Sequence, residues 1–187
     1  MFLVMWPWGH LAVGYLCYRG WCATRGTSPL RGSVLVVLAV STQLPDLIDK
    51  PLAWELGFLA TGRSLAHSLV VGLPILFLLW WLLADNCQYW VALTIGYLTH
   101  LAGDGIQPIL AGEYNSLAYL GWPLVRIPEA DVQVSVGIVE FLVTPEVTTG
   151  YLAQWGLLVV AAVLWAADGF PGLERLRPRK TRSVPDE

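Results

Sequence analysis

Residues 96–104 read GYLTHLAGD, and they lie inside an apolar run that extends over about residues 88–110. On a helix, positions four residues apart share one face, so His100 and Asp104 place an imidazole beside a carboxylate. An ionisable side chain within a membrane span costs about 2.5 to 3.5 kcal/mol and usually faces a protein interior or a wet cavity. The pair therefore indicates half of a metal site, and the alternative is a structural hydrogen bond between neighbouring helices.

The composition around this stretch is typical of a membrane protein. Hydrophobic residues make up 56% of the 187 residues, the mean hydropathy is +0.57, and only 13% of residues are charged. A soluble domain carries about 25% charged residues. We therefore expect an all-α, polytopic helical membrane protein. Its three cysteines form neither an even disulfide set nor a Cys-x-x-Cys pair, so the redox compartment stays undecided.

Five segments have the apolar character needed to cross a hydrocarbon core, which takes about 20 residues with shorter or tilted spans tolerated. These predicted spans are residues 2–18, 33–48, 65–84, 88–110 and 151–167. The first segment lacks the basic start and small-residue cleavage site of a signal peptide, so we expect it to be retained. Only residues 85–87 separate the third and fourth spans, which predicts a tight antiparallel hairpin.

Two connections between the predicted spans have distinct characters. Residues 50–64 contain Trp54 and Glu55 and are expected to be interfacial, with a short helix as one form they can take. Residues 111–150 form a long acidic connection. Within it, residues 132–143 are amphipathic, and the pattern fits either a segment lying on the bilayer or strand-like structure.

The basic residues predict the orientation. The loop from Arg19 to Arg31 and the tail at residues 171–187 carry most of them, and with five spans both lie on one side. Basic loops favour the cytoplasm, so we expect the N-terminus outside and a cytoplasmic tail. Residues 1–170 then form a single transmembrane domain in the cell membrane.

Six ionisable residues converge at one depth in this topology, in the outer halves or at the outer ends of the first four spans. They are His10, Asp46, Asp49, His67, His100 and Asp104, and they include all three histidines of the chain. A lone histidine on an apolar face is more often a satisfied core residue, but the joint pattern favours a shared site. For the two aspartates near residue 45, the alternative is helix termination after Pro45 with solvated carboxylates.

Imidazole and carboxylate together suit zinc, with manganese or iron as alternatives, whereas all-oxygen magnesium or calcium sites need no histidines. A catalytic zinc site keeps one position open for water. Arg63 lies four residues before His67 and has the side chain to bind a phosphate oxygen, with interfacial anchoring as the alternative.

Three motifs after the early His10 carry a family resemblance: Leu44-Pro45-Asp46, Gly62-Arg63-Ser64-Leu65-Ala66-His67-Ser68 and the stretch from Gly96 to Asp104. In order and spacing the chain resembles the LexA-regulated, membrane-bound metal-dependent hydrolases over about residues 9–124. That family in turn is similar to the zinc-dependent phospholipases C and the single-strand nucleases that share their helical fold. The resemblance implies a phospholipase C-like or nuclease-like helical core.

The resemblance also implies the ligands. One metal would take Asp46, His67, His100 and Asp104, and a second would take His10 and share Asp104. Gly62 stands where the family usually has histidine, and Ala66 stands where it usually has threonine. No histidine follows Asp104 to match the third zinc of the soluble enzymes, so we expect one or two metal ions.

These observations predict a metal-dependent hydrolase acting on a phosphoester of a lipid or similar amphiphile at the outer membrane face. In this mechanism Asp46 or Asp49 positions or deprotonates the attacking water, and Arg63 binds substrate. The expected partners are the bilayer and this substrate, without nucleic acid. The rival interpretations are an ion or proton-coupled transporter, with the same residues as a relay, and a non-catalytic, metal-stabilised membrane protein.

Overall fold

The described part of the chain is mainly helical. The computed structural model describes residues 5–27, 32–128, 138–143 and 147–173, and these contain no β-strand. Seven α-helices follow one another: α1 Pro7–Thr24, α2 Gly32–Ser41, α3 Leu44–Lys50, α4 Leu69–Leu82, α5 Cys87–Ala111, α6 Ile138–Val143 and α7 Thr149–Ala167. The prediction of an all-α protein is confirmed for these residues.

Helix α5 lies at the centre and packs against α1 and α2, while α7 packs on the other side of α1. Two glycines let these helices approach closely. A Cβ atom on Gly96 of α5 would lie 1.9 Å from Ser41 Oγ, and one on Gly14 of α1 would lie 2.3 Å from Thr42 Cγ2. Small residues at helix crossings allow such close backbone contact. Both crossings meet at the end of α2, so α1, α2 and α5 are held together there.

The predicted second span at residues 33–48 is not one uninterrupted α-helix. Helix α2 ends at Ser41, and α3 begins at Leu44 with Pro45 in its first turn. Proline has no N–H to donate to the preceding turn, so the ladder of helical hydrogen bonds is interrupted there. Helix α3 then continues into a π-helical turn, Pro51–Glu55, which confirms the short helix expected within residues 50–64.

Two helical segments in the described residues are long and apolar enough to cross a bilayer: Gly32–Glu55, which contains α2 and α3, and Thr149–Ala167. The expectation of five such segments is therefore corrected to two. Helix α4 is apolar but has only 14 residues, a length of about 21 Å against a hydrocarbon core of about 30 Å. Helices α1 and α5 are long enough, but His10 and Arg19 in α1 and His100 and Asp104 in α5 make them more polar.

The third and fourth predicted spans do form a hairpin. A single 3-10 turn, Ala84–Asn86, joins α4 to α5. However, α4 begins at Leu69 instead of residue 65, because the Ser68 side chain accepts hydrogen bonds from the backbone N–H groups of Val70 and Val71 at 3.1 and 3.3 Å. Residues 57–68 before this cap are therefore a non-helical loop.

Polar contacts join α7 to α1 near both ends of α7. Near the start of α7, Gln154 Oε1 accepts a hydrogen bond of 2.7 Å from the backbone N–H of Trp6. At the far end, Asp168 accepts hydrogen bonds from Arg19 and from the Tyr15 hydroxyl at 2.6 to 3.0 Å. The hydrogen bonds from Arg19 hold the pKa of Asp168 below its usual range. This network stays charged at neutral pH and fixes α7 along α1.

Two predictions fall wholly or partly outside the described residues. Of the amphipathic segment at residues 132–143, only the helix Ile138–Val143 is described, so the part that can be checked is helical. The basic tail at residues 171–187 is described only as far as residue 173.

Candidate metal centre

Four of the predicted ligands meet in the interior. Asp46 comes from α3, His67 from the loop before α4, and His100 and Asp104 from successive turns of α5. One donor atom from each lies within 4.8 Å of the other three. His67, His100 and Asp104 are 0 to 4% exposed, and Asp46 is 9% exposed. The four side chains therefore form a buried cluster with Asp46 on its accessible side.

The spacing of these donors fits a small divalent ion. The two Nε2 atoms of His67 and His100 are 3.1 Å apart. His67 Nε2 lies 3.5 Å from Asp46 Oδ1 and 3.5 Å from Asp104 Oδ2, and the corresponding distances from His100 Nε2 are 3.8 and 4.0 Å. Zinc bonds of about 2.0 to 2.2 Å in tetrahedral geometry place neighbouring ligand atoms about 3.3 to 3.6 Å apart. The three distances from His67 lie close to this range and the two from His100 to the carboxylates are longer, so the cluster could hold a metal ion.

The contacts of the Nδ1 atoms of His67 and His100 indicate which nitrogen of each ring carries a proton. His100 Nδ1 lies 2.7 Å from the Thr42 carbonyl oxygen, which can only accept, so this nitrogen carries the proton. His67 Nδ1 lies 2.9 Å from Asp49 Oδ2 and donates to it. In the neutral form of both rings, the two Nε2 lone pairs therefore face each other. Two lone pairs 3.1 Å apart need a proton or a metal ion between them.

Asp49 lies behind His67, so the alternative of a solvated carboxylate is wrong for this residue, while its predicted action on water stays a prediction. It is fully buried. Besides the His67 ring, its carboxylate accepts the backbone N–H groups of Ser64, Ala66 and His67 at 2.8, 2.9 and 3.2 Å. Asp49 therefore holds residues 64–67 in place and orients the His67 ring, as carboxylates behind metal-binding histidines do.

The two carboxylates of the cluster each have a cationic partner. Lys50 Nζ lies 2.5 Å from Asp46 Oδ2, while Asp46 Oδ1 faces the histidines and has no hydrogen-bond partner among the described residues. Arg63 Nε lies 3.0 Å from Asp104 Oδ2. Arg63, predicted as a substrate ligand, thus contacts a predicted metal ligand directly, and its side chain is 20% exposed.

His10 lies beside the four-donor cluster and is not part of it. Its ring stacks on that of His100 with the centroids 3.8 Å apart. Its Nε2 lies 3.6 Å from Asp104 Oδ1, the oxygen that faces away from the other histidines. Neither ring nitrogen of His10 nor this Asp104 oxygen has a hydrogen-bond partner among the described residues. His10 and Asp104 therefore offer atoms that could bind a second metal ion beside the four-donor cluster, as the predicted second site requires.

Gly62, where the resembling family usually has histidine, is packed tightly against two side chains. A Cβ atom there would lie 3.1 Å from the Trp54 Nε1 atom and 3.3 Å from the Lys50 Cγ atom. The Lys50 ammonium in turn lies 5.6 Å from the centre of a Trp54 ring. The missing side chain at position 62 therefore lets Trp54 and Lys50 pack beside the metal centre.

Sequence reasoning missed the roles of Lys50 and Thr42. Lys50 follows Asp46 by four residues on one helix, and that spacing is a signal for an ion pair. Thr42 acts through its backbone carbonyl, and no side-chain pattern identifies such a contact. The carbonyl is available because α2 ends one residue earlier.

Comparison with known proteins places the chain among membrane proteins. The model of the YdjM inner membrane protein family matches residues 5–168, which include every residue of the centre. No curated protein and no solved structure matches the chain.

Proposed function

The chain belongs to the YdjM inner membrane protein family, and we propose that it is a membrane-bound, metal-dependent hydrolase acting on a phosphoester of a lipid or similar amphiphile. The observation that carries this proposal is the pair of histidine Nε2 atoms 3.1 Å apart, with two carboxylate oxygens beside them. Zinc suits this mixed donor set best, with manganese or iron as alternatives. A phospholipase C-like helical core is part of the same proposal.

The charges around the centre support an anionic substrate. Asp46 and Asp104 are already paired with Lys50 and Arg63. With neutral histidines, the three carboxylates, counting Asp49, oppose two cationic side chains and one divalent ion. The loaded centre therefore carries one net positive charge, which attracts a phosphoester anion.

The proposed mechanism assigns a role to each of three polar side chains at the centre: Asp46, Arg63 and Asp49. Asp46, His67, His100 and Asp104 would hold a divalent ion, which would supply an activated water and positive charge for the phosphoryl oxygens. Asp46 is the most exposed of the four donors, so its carboxylate is placed to accept a proton from water. Arg63 is also partly exposed and binds a phosphoryl oxygen. Asp49 keeps His67 oriented and takes no proton.

Hydrolysis is the first prediction. Purified protein supplied with zinc or manganese should hydrolyse an activated phosphodiester or a phospholipid, because Arg63 lies directly beside the four donors that would hold the metal. Release of nitrophenol or of the phosphomonoester product measures it. A chelator should stop turnover and the metal should restore it. If metal stays bound but no turnover is seen with several metals and lipid classes, the result would support a non-catalytic, metal-stabilised membrane protein. Proton or metal flux into vesicles that contain the protein would support the transporter interpretation.

The second prediction separates substrate binding from metal binding. Arg63→Ala should keep metal occupancy at the wild-type level and raise the apparent KM about tenfold or more, because one charge-assisted hydrogen bond is worth about 1.5 to 3 kcal/mol. Steady-state kinetics with metal analysis of the same sample measures both. Arg25→Ala, at an exposed arginine after α1, is the matched control. Loss of metal in Arg63→Ala in proportion to activity would mean that Arg63 only holds Asp104.

The third prediction concerns sidedness. We place His67, His100 and Asp104 toward the outer face, because they lie between the two candidate spans, Gly32–Glu55 and Thr149–Ala167, and the basic residues favour a cytoplasmic tail. Single cysteines introduced at Asn115 and Ser183, in a background without Cys17 and Cys87, should behave differently in intact cells. A membrane-impermeant maleimide should label position 115 and leave position 183 unlabelled. The reverse pattern would place the centre on the cytoplasmic side.

A further inference from the structure

A cavity of about 340 Å³ lies between residues 58–64 and residues 122–127. Its walls include Phe58, Ala60, Thr61, Ser64, Trp122 and Arg126. Sites for small ligands usually measure about 300 to 1,000 Å³ and combine apolar walls with a few polar groups. The cavity therefore has the size and lining of a ligand site, and none of the four metal donors lines it.

Three hydrogen bonds connect the cavity walls to the metal centre. The backbone N–H of Ser64 donates to Asp49, which orients His67. Thr61 Oγ1 accepts the backbone N–H of Arg63 at 3.2 Å, and the Arg63 side chain reaches Asp104. The hydroxyl of Ser68, the residue after His67, donates to the Trp122 carbonyl. One loop thus forms a wall of the cavity and a side of the metal centre.

Large apolar side chains surround the opening of the cavity. Phe58 is 77% exposed and Val125 is 48% exposed, and their neighbour Leu124 is 79% exposed. All three lie outside the α-helices, so their exposure is not that of a lipid-facing span. Arg126 is also exposed and makes no ion pair with a described residue. An apolar opening with a cation at its wall suits a molecule that has both a hydrocarbon chain and an anionic group.

We propose that this cavity binds the hydrocarbon chain of an anionic amphiphile whose phosphate lies at Arg63 and the metal centre. The proposal rests on the proposed function, because it takes the metal centre as the place of the phosphate. The ligand carries a hydrocarbon chain as well as a phosphate, because the segment at residues 58–64 both lines the cavity and carries Arg63, which contacts Asp104. Free inorganic phosphate would use only the charged part of this site.

Binding of alkylphosphonates tests the cavity without requiring hydrolysis. Zinc-loaded protein in nanodiscs is titrated calorimetrically with inorganic phosphate and with butyl-, hexyl- and octylphosphonate, and empty nanodiscs give the partitioning background. Each added methylene that is fully buried should raise the affinity about fourfold. Inorganic phosphate should bind most weakly. Equal affinities across the series would overturn the proposal and leave a site for free phosphate.

A cavity-filling variant locates the chain. Ala60→Phe should remove most of the gain from butyl- to octylphosphonate while leaving butylphosphonate affinity within about twofold. Leu56→Phe is the matched control, since Leu56 is 59% exposed and does not line the cavity. An unchanged chain-length gain in Ala60→Phe would show that the chain binds elsewhere.

The same measurements separate this inference from the proposed function. Chain-dependent binding that Ala60→Phe removes, without hydrolysis of any phosphoester, would support the cavity and contradict the hydrolase. Hydrolysis whose kcat/KM is independent of chain length would support the hydrolase and contradict the cavity.

Discussion

Replacement of His67 or of His100 by alanine is expected to lower the affinity of the protein for zinc by more than about 100-fold. Loss of an outer hydrogen-bond partner of a metal ligand alone costs about 10- to 100-fold, and these residues supply donor atoms directly. Each substitution removes one of the two Nε2 atoms that face each other at 3.1 Å. Metal content after dialysis, with chelator competition for the affinity, measures the effect.

His10→Ala is the control for these two variants. It removes an equally buried imidazole that is not one of the four converging donors. The first ion should therefore stay bound. If the wild-type protein binds about two ions, as the free His10 and Asp104 donors predict, this variant should bind about one. Full metal content in correctly inserted and folded His67→Ala and His100→Ala proteins would refute the metal centre.

Asp49→Asn is expected to weaken zinc binding about 10- to 100-fold although residue 49 supplies no donor atom to the centre. The amide cannot accept hydrogen bonds at both positions, and its NH2 group would face a donor among Ser64 N–H, Ala66 N–H and the His67 ring. Each buried donor left unpaired costs about 1 to 3 kcal/mol. The variant should also lower the thermal unfolding midpoint, because residues 64–67 lose their common acceptor.

Asp85→Asn provides the comparison for Asp49→Asn, because Asp85 is an exposed aspartate in the turn between α4 and α5. It should change neither zinc affinity nor the unfolding midpoint. A zinc affinity of Asp49→Asn equal to that of wild type would mean that the carboxylate does not orient His67. A loss of turnover with unchanged affinity would restore the original expectation that Asp49 acts on water.

The four-donor centre could be read largely from the sequence because its signals are local or rare. His100 and Asp104 are one helical turn apart, and the chain has only three histidines. The role of Asp49 could not be read in the same way. The direction of the Asp49 side chain depends on how α3 is oriented after the helix break at Thr42 and on the conformation of residues 57–68. Three of the hydrogen-bond donors to Asp49 are backbone N–H groups, which almost every residue type carries, so the sequence does not identify them.

The number of spans was wrong for a related reason. The residues that reveal the site are also polar residues within helices, so they lower the hydropathy of α1 and α5. The predicted span at residues 65–84 begins four residues before helix α4, because the apolar run extends past Ser68, whose side chain caps the start of that helix. Helix boundaries set by a single side-chain hydrogen bond are hard to place from hydropathy alone.

The Asp46–Lys50 pair affects how the chain can be synthesised. Lys50 lies one helical turn after Asp46, and its ammonium contacts the Asp46 carboxylate directly. The pair can therefore form within α3 alone, without Asp104, which lies 54 residues further along the chain. A carboxylate entering the membrane alone would cost about 2.5 to 3.5 kcal/mol. With its own counter-ion beside it, the nascent segment can be delivered to the bilayer before any metal is available.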